Sequence, residues 1–383
     1  MNNWKKRLLM TFLAILGGVV VGAIILGAIG KNPLEAYKVI LVGALGSPKN
    51  VTWTVVQAVP IILTGIGVAF AFNTGLFNIG AEGQYIIGSL GAVIAGIFLP
   101  LPPGIHGLVA LLIGGLCGAI WGGLVGLIKA KFGVNEVITS IMLNWIGYYF
   151  SNWILEFSFL RKPASDNSFN IAKSASIRIL GAWKTSGAGR AFLKQNHFLR
   201  DILNPPVHWG ILVAIIAAIA AWYILHKTTL GYQLKAVGFN KDAAEYGGIN
   251  IQKNVVRAMA ISGFFAGLAG ATTVLGVAHN VGVLHAQQGY GFNGIAVALI
   301  AANSPLACIP AGLLFSGLNY GGGKLNSMLH TPSEVVKIVI GVIVLFVAMP
   351  RFFEILAGFF KGRHPKQKTP VTPSSGQKGE GHA

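Results

Sequence analysis

Ten long apolar runs constrain the fold of this chain more than any other feature of its sequence. A helix that crosses a membrane needs about 20 predominantly apolar residues. Most of the runs come close to that length, and we expect them to be membrane-crossing helices. They are residues 8–29, 52–72, 79–99, 105–128, 136–155, 208–226, 257–278, 291–302, 304–320 and 333–350. The predicted fold class is therefore all-α: a polytopic membrane helical bundle with about ten transmembrane segments.

Few residues are charged, which excludes an ordinary soluble globular protein. Charged residues make up 10% of the chain, against roughly 25% in a typical soluble domain. The net charge is +18, and the basic residues cluster at the ends of the apolar runs. That placement is typical of the cytoplasmic loops of membrane proteins. Because no nucleic-acid-binding motif accompanies these residues, we expect membrane lipid as a partner and no nucleic acid.

The distribution of Lys and Arg predicts the orientation of the segments. The basic cluster at residues 5–7 places the N-terminus in the cytoplasm, and ten spans place the C-terminus there as well. The loop at about 227–254 is then cytoplasmic and the loop at about 156–206 is outside. That outer loop carries eight Lys or Arg, although long loops cross a membrane largely regardless of charge. Residues 1–350 are predicted to form a single transmembrane domain, and the basic tail 351–383 is expected to be disordered in the cytoplasm.

Glycine-rich helix faces predict close packing, because small residues let membrane helices approach each other. The clearest face recurs every fourth residue and consists of Gly114, Gly118, Gly122 and Gly126. Two further faces consist of Gly88, Ala92 and Gly96, and of Gly263, Gly267 and Ala271. These faces predict a tight bundle and carry no information about function.

The stretch 73–84, which leads into the third run, is rich in residues that are costly in lipid. Its polar side chains include Asn73, Asn78, Glu82 and Gln84. A carboxylate near the centre of a bilayer costs several kcal/mol, and glycines in the same stretch weaken a helix. A broken helix beside a polar cavity accounts for both features. The alternative is a short cytoplasmic turn with Glu82 at a helix start, where a negative charge suits the helix dipole.

Asn144 is a second polar residue placed within an apolar run, residues 136–155. Asn135 precedes the same run and is expected to cap its helix. Asn144 lies deeper, and a buried amide in a membrane needs a hydrogen-bond partner from the protein or from a solute.

The run 291–302 is too short to cross a membrane alone. It is expected to be tilted, broken or re-entrant, which is tolerated only inside protein or beside a water-filled cavity. Phe292 and Asn293 open this run and repeat the pair Phe77 and Asn78. Inverted repeats would produce such an echo, as would chance in a glycine-rich chain.

A short helix is predicted inside the loop at about 227–254. Asn240 is a favourable N-cap, and Gly247 and Gly248 end the helix about two turns later. A helix of this length does not persist alone in water, so its neighbours must hold it. On the cytoplasmic side it is suited to docking into another protein, and an ordinary surface loop is the alternative.

The sequence contains no recognisable catalytic or metal-binding constellation. Its nearest approach to a P-loop ends in Lys324 followed by Leu325, where Ser or Thr is required. HExxH and GxSxG motifs are missing, and Cys117 and Cys308 lack the spacing of metal ligands. We therefore expect no catalytic residues, no metal site and no cofactor, and the chain is not expected to be an enzyme.

Four motifs resemble the ABC-transporter permeases for simple sugars, branched-chain amino acids and nucleosides. They are Asn73-Thr-Gly-Leu-Phe-Asn-Ile-Gly-Ala-Glu-Gly-Gln84, Val134-Asn-Glu-Val-Ile-Thr139, Leu234-Lys-Ala-Val-Gly-Phe-Asn240 and Ala243-Ala-Glu-Tyr-Gly-Gly-Ile249. The resemblance runs from about residue 50 to 350 and is strongest to bacterial nucleoside permeases. One departure is Ala301-Ala302-Asn303, where the family often has Gly-Arg-Asn.

The resemblance implies partners and a direction of transport. The partners would be ABC ATPase subunits, a second permease subunit and an extracytoplasmic solute-binding lipoprotein. The location would be the plasma (inner) membrane of a bacterial cell, with transport inward. The helix at about 241–246 would be the coupling helix that receives force from the ATPases. The residues implied in ATPase coupling are Gly238, Asn240, Lys241, Ala243, Ala244, Gly248 and Ile249.

The expected function is that of a permease subunit that moves a small polar solute, with nucleosides favoured. A neutral polar solute needs hydrogen bonds and aromatic stacking rather than charge. The residues predicted for the solute pathway are Asn73, Phe77, Asn78, Glu82, Gln84, Asn144, Phe292 and Asn293, with Trp145 as a further stacking candidate. Two alternatives are a sugar or amino-acid permease of the same family, and an ion-coupled secondary transporter that would use Glu82. The missing catalytic constellations disfavour a membrane-embedded enzyme.

Overall fold

The computed structural model describes residues 3–349, and its regular elements in this part of the chain are helices. In chain order they are α1 (Asn3–Ala28), α2 (Pro33–Leu45), α3 (Pro48–Phe72), α4 (Ala81–Phe98), α5 (Ile105–Phe132), α6 (Glu136–Ile154), α7 (Gly181–Thr185), α8 (Gly187–Gln195), α9 (His197–Leu203), α10 (Gly210–Lys227), α11 (Thr229–Phe239), α12 (Lys241–Tyr246), α13 (Ile251–Thr273), α14 (Tyr290–Ile300), α15 (Cys308–Leu329) and α16 (Ser333–Ala348). A 3-10 turn occupies Lys173–Ala175, and a π-helical turn, Val274–Ala278, continues α13. The predicted all-α class is confirmed for this part of the chain. The predicted disordered tail, 351–383, lies outside the described residues.

Five helices of the described part are long and apolar enough to cross a membrane, and a sixth span results if α1 and α2 count as one bent helix. They are α3, α4, α5, α10, and α13 together with its π turn. The prediction of about ten crossing segments is not confirmed. α14 has 11 residues and α16 has 16, fewer than the roughly 20 that a crossing helix needs.

A sharp bend between α1 and α2 is a feature that the apolar pattern did not predict. The helix direction changes by 118° from Ile15–Ala28 to Pro33–Leu45. The Asn32 side chain caps α2 by accepting the N–H of Leu34 at 3.0 Å. The Tyr37 hydroxyl donates to the carbonyl oxygen of Val19 at 2.7 Å, which holds α2 against α1. Two charged residues interrupt the apolar pattern of α2, which is why it was not recognised.

The glycine faces of α4, α5 and α13 meet at the centre of the bundle. A Cβ atom on Gly118 would lie 2.4 Å from the carbonyl oxygen of Gly263. A Cβ atom on Gly88 would lie 2.4 Å from the Cα atom of Gly267. These backbones approach so closely that a larger residue would force the helices apart. The predicted docking faces of all three helices are confirmed.

The chain between α6 and α10 folds over one end of the bundle, which we call the long-loop end. It contains α7, α8 and α9 together with extended pieces that pair with the core. The N–H of Ser168 donates to the carbonyl oxygen of Val281 at 2.8 Å. The N–H of Ala172 donates to the carbonyl oxygen of Gly96, near the end of α4, at 2.8 Å. The long loop is therefore an ordered part of the structure.

α11 and α12 lie at the opposite end of the bundle, which we call the α12 end. Gly75, just before α4, contacts Gly238 of α11 there: a Cβ atom on Gly75 would lie 2.9 Å from the Cα atom of Gly238. Because α4 begins near this contact and finishes beneath the long loop, it connects the two ends.

Candidate functional site

Two of the helix breaks in the bundle lead into the helices that carry or adjoin the predicted pathway residues. The first break, residues 73–80, separates α3 from α4, and the second break, residues 279–289, separates the π turn from α14. α14 has 11 residues and is therefore about 16 Å long. This is roughly half the thickness of the hydrocarbon core of a bilayer. The short run 291–302 thus forms a helix that is too short to cross a membrane alone, as the sequence predicts.

The N-termini of α4 and α14 meet at Glu82. One carboxylate oxygen accepts the N–H of Gly289 and the other accepts the N–H of Gly291, both at 2.7 Å. Glu82 is fully buried, and no ion pair among the described residues includes it. Its two oxygens are held by N–H groups at a helix start, where the helix dipole favours negative charge. A Cβ atom on Gly291 would lie 2.2 Å from the backbone nitrogen of Glu82, so glycine is required for this approach.

A buried pair of amides closes the first break. Asn78 donates to the Gln84 oxygen at 2.9 Å, and Gln84 donates back to the Asn78 oxygen at 3.2 Å. Asn78 also donates to the hydroxyl oxygen of Ser262 on α13 at 2.7 Å, and that hydroxyl donates to the carbonyl oxygen of Gly67 on α3 at 2.6 Å. Both amide side chains are fully buried. This network fixes α3, α4 and α13 relative to each other.

Asn144 and Asn73 form hydrogen bonds with backbone groups around the same breaks. The Asn144 oxygen accepts the N–H of Gly83 at 2.8 Å, and its amide donates to the carbonyl oxygen of Ile79 at 3.1 Å. The Asn73 amide donates to the carbonyl oxygen of Asn303, beyond the end of α14, at 2.7 Å. Four of the amides predicted for the solute pathway, those of Asn73, Asn78, Gln84 and Asn144, therefore form hydrogen bonds within the protein in this conformation.

The aromatic residues predicted to stack on a solute lie at separate places. Phe77 is partly exposed, with its ring centroid 5.0 Å from that of Phe72. Phe292 is 41% exposed, and Asn293 beside it is partly exposed. Trp145 is exposed on α6. No ring contact among the described residues joins Phe77, Trp145 and Phe292 to one another.

A partly enclosed cavity of about 150 Å³ lies beside the second break, towards the long-loop end. Its polar lining side chains are Tyr85, Ser89, Ser151, Thr273, Asn280 and Gln288. None of these residues stands out in the sequence as a candidate for the solute pathway. Ser151 is a single hydroxyl residue in an apolar run. Such residues are common at ordinary helix contacts, so the sequence does not mark Ser151 as part of a site.

α12 is held at both ends by contacts of the kind that the sequence predicted. The Asn240 side-chain oxygen accepts the N–H of Ala243 at 3.0 Å. The helix ends before Gly247, and Gly248 has a left-handed φ of +78° that favours glycine. Ala244 is buried against the protein. The predicted N-cap and the predicted glycine terminus are both confirmed.

A groove between α11 and α12 opens at the α12 end. Of the residues implied in ATPase coupling, it is lined by Asn240, Ala243, Ala244, Gly248 and Ile249. Lys241 is exposed nearby. Two aromatic side chains project from this surface, with Phe239 88% exposed and Tyr246 97% exposed. Large apolar groups gathered at one exposed place are typical of a surface that contacts another protein.

Gly238 links this surface directly to the first break. A Cβ atom on Gly238 would lie 2.8 Å from the carbonyl carbon of Thr74 and 2.9 Å from the nitrogen of Gly75. The adjoining Asn73 holds the end of α14 through Asn303. α11 therefore contacts the first break backbone to backbone, and the Asn73 side chain extends this contact to the end of α14.

Comparison with known proteins supplies a family and several relatives. The family described as "Branched-chain amino acid transport system / permease component" matches residues 50–348. The guanosine ABC transporter permease protein of Bacillus subtilis (strain 168) is 39% identical over 356 residues, 93% of this chain and 97% of that protein. The nucleoside ABC transporter permease protein of Lactococcus lactis subsp. cremoris is 34% identical, over 93% of this chain and 94% of that protein. The glucose ABC transporter permease protein of Haloferax volcanii is 31% identical, over 89% of this chain and 87% of that protein.

Proposed function

The chain belongs to the permease components of the branched-chain amino acid transport family, and we propose that it is the permease subunit of an ABC importer for nucleosides. The observation that carries the proposal is the match, along 93% of this chain, to permeases named for guanosine and for nucleosides. The helices of the described part are suited to a multi-pass membrane protein, and the plasma membrane of a bacterium is its location. The chain is a transport subunit and not an enzyme.

The chemistry of the bundle supports an uncharged solute. The side chains that line the cavity beside the second break carry no ionisable acid or base apart from the Tyr85 phenol. Sugar and amino-acid permeases of the same family are the nearest alternatives, and one relative is named for glucose. An amino acid carries two charges that these neutral groups would leave unpaired.

An ion-coupled secondary transporter is less well supported. Glu82 is the only carboxylate that is buried among the described residues. Both of its oxygens already accept backbone N–H groups. A carboxylate that binds and releases a coupling ion would disturb these two hydrogen bonds in each cycle, whereas this one holds two helix ends together.

The proposed assembly contains ABC ATPase subunits, a second permease subunit and an extracytoplasmic solute-binding lipoprotein. In it α12 is the coupling helix, and the groove beside it receives an ATPase subunit. The α12 end is then cytoplasmic together with both termini, and the long-loop end faces the lipoprotein. About ten membrane segments result if α6, the broken segment ending in α14, α15 and α16 are added to the longer spans. The shared Phe-Asn pairs at the two breaks are compatible with inverted repeats.

Within this assembly we assign two tasks to the predicted pathway residues. Phe292 and Asn293 are partly exposed and available to a solute, as is Phe77. Asn73, Asn78, Glu82, Gln84 and Asn144 hold the breaks through hydrogen bonds within the protein. If the pathway opens along the breaks, these side chains must give up their present hydrogen bonds. A polar solute can then supply new hydrogen-bond partners.

Uptake by the purified, complete transporter in proteoliposomes tests this proposal. We expect uptake of radiolabelled guanosine only when ATP is supplied on the side of the membrane where the ATPase subunits lie. This uptake should persist when ionophores dissipate ion gradients. A transporter whose ATPase subunits bind ATP without hydrolysing it serves as the control. Uptake that survives without the ATPases and collapses with an ion gradient overturns the importer assignment. ATP-driven uptake of glucose or an amino acid, with none of guanosine, overturns the choice of solute.

A further inference from the structure

The cavity beside the second break lies where four parts of the protein meet. Tyr85 and Ser89 reach it from α4, Ser151 from α6, and Thr273 from α13. The extended segment after the π turn covers it. That segment is fastened to α6 by Asn152, whose side chain bonds to both the N–H and the carbonyl oxygen of Leu284, at 2.8 and 2.9 Å.

Ser151 is one of the residues that line this cavity, and its hydroxyl is unpaired. The residue is fully buried, and its hydroxyl has no hydrogen-bond partner. A buried polar group without a partner costs about 1–3 kcal/mol. The hydroxyl can both donate and accept, so a bound group with a hydroxyl of its own would recover that energy.

The other polar side chains that line the cavity have hydrogen-bond donors and acceptors that are not in use. The hydroxyls of Ser89 and Thr273 donate to carbonyl oxygens of their own helices, at 2.9 and 3.0 Å, which leaves their oxygens able to accept. The Gln288 oxygen accepts the Tyr85 hydroxyl at 3.2 Å, which leaves the two N–H donors of its amide. Donors and acceptors are therefore both available, and no charged side chain is among them.

The size of the cavity limits what it can hold. Its volume is about 150 Å³, and an apolar protein cavity of about that volume holds one benzene molecule. It therefore has room for one small ring and not for a complete nucleoside. The open side leaves space for a larger group attached to that ring.

We infer that this cavity is a subsite for the sugar ring of a nucleoside, with Ser151 and Gln288 bonding to sugar hydroxyls. The inference rests on the proposed function and deepens it. The base projects through the open side of the cavity. The extended segment over the subsite is joined to the long loop by the pairing of Asn167 with Gly282, so the subsite lies at the end where solute is delivered.

Ser151→Ala tests the inference, with Ser140→Ala as a matched control. Both serines lie on α6, both are fully buried and both have unpaired hydroxyls, but Ser140 does not line the cavity. Initial rates of guanosine and guanine uptake are measured in proteoliposomes holding the complete transporter. Loss of one hydrogen bond raises the KM for guanosine about fivefold in Ser151→Ala, while Ser140→Ala leaves it unchanged. Guanine lacks the sugar. We therefore expect the rate of guanine uptake, or the inhibition of guanosine uptake by guanine, to be the same in Ser151→Ala and in Ser140→Ala.

A second variant protects the test against misfolding. If Ser151→Ala does not assemble, as judged by size-exclusion chromatography, Gln288→Ala on the exposed segment carries the same expectation. An equal KM for guanosine in wild type, Ser151→Ala and Gln288→Ala means that the cavity holds water only, and the inference is overturned while the proposed function stands. A wild-type transporter that carries no nucleoside overturns both.

Discussion

The carboxylate of Glu82 accepts the N–H of Gly291 at 2.7 Å, and this bond joins the first turn of α4 to the first turn of α14. The second oxygen accepts the N–H of Gly289 in the same way. A carboxylate fits between two helix N-termini because their dipoles present partial positive charge. The first turns of α4 and α14 are thus joined by one buried carboxyl group.

Glu82→Gln is expected to weaken this junction. The amide keeps the size of the side chain but replaces one acceptor by an N–H₂ group that faces a backbone N–H. Hydrogen bonds to charged groups contribute about 1.5–3 kcal/mol each, so the midpoint of thermal unfolding in detergent falls and guanosine uptake falls with it. Glu334→Gln, at an exposed position on α16, is the control. Unfolding midpoints that agree between Glu82→Gln and wild type would show that the junction does not depend on the charge.

The crossing of α5 and α13 gives a second prediction. In Gly118→Ala the new methyl group meets the carbonyl oxygen of Gly263 at 2.4 Å and must push the helices apart. Overpacking of this kind costs about 1–3 kcal/mol. Gly123→Ala on the same helix is the matched control, because its methyl group lies 3.6 Å from the nearest side-chain atom, on Ala260. The measurement is thermal unfolding in detergent, and equal losses in the two variants contradict the packing argument.

Features encoded by neighbouring residues could be predicted from the sequence. Asn240 and Asn135 were recognised as caps, and they accept the N–H groups of Ala243 and Val137 at 3.0 and 2.8 Å. The glycine faces of α4, α5 and α13 could be recognised because a face repeats every four residues. Such signals need only local geometry.

Features that depend on distant partners could not be predicted. Glu82 was selected as costly in lipid, but its partner Gly289 is 207 residues away. The cavity at Ser151 forms only when α4, α6 and α13 have packed. Its lining residues come from separate segments, so no single stretch of sequence reveals it. The predicted count of about ten crossing segments is not confirmed for a related reason, since neighbouring helices let short and bent helices stay in the bundle.

Tyr246→Ala tests whether the surface around α12 contacts an ATPase subunit. The side chain is 97% exposed, so its removal has little effect on the free energy of unfolding of the isolated chain. An aromatic side chain at the centre of an interface contributes about 2 kcal/mol or more to binding. We therefore expect weaker co-purification of the ATPase subunits with unchanged thermal stability. Tyr223→Ala, also exposed but on α10, is the control, and a comparable loss of ATPase subunits there argues against a specific contact.

Gly238→Ala separates binding of the ATPase subunits from transmission of their movement. The added methyl group lies 2.8 Å from the carbonyl carbon of Thr74 and alters the contact between α11 and the first break. The groove that we propose receives an ATPase subunit is lined by other residues, so we expect the ATPase subunits to remain bound. Strain of about 1–3 kcal/mol at this contact is expected to lower ATP-driven guanosine uptake about tenfold.

The same purified transporter supplies both readouts for Gly238→Ala, co-purification of the ATPase subunits and uptake per ATP hydrolysed. Gly323→Ala is the matched control, because a methyl group there meets no atom within 4 Å. Since Gly238 touches the turn that begins the first break, we expect uptake per ATP to fall while the ATPase content stays constant. Normal uptake in Gly238→Ala would mean that force reaches the breaks by another route. Loss of the ATPase subunits would instead place Gly238 in the docking surface itself.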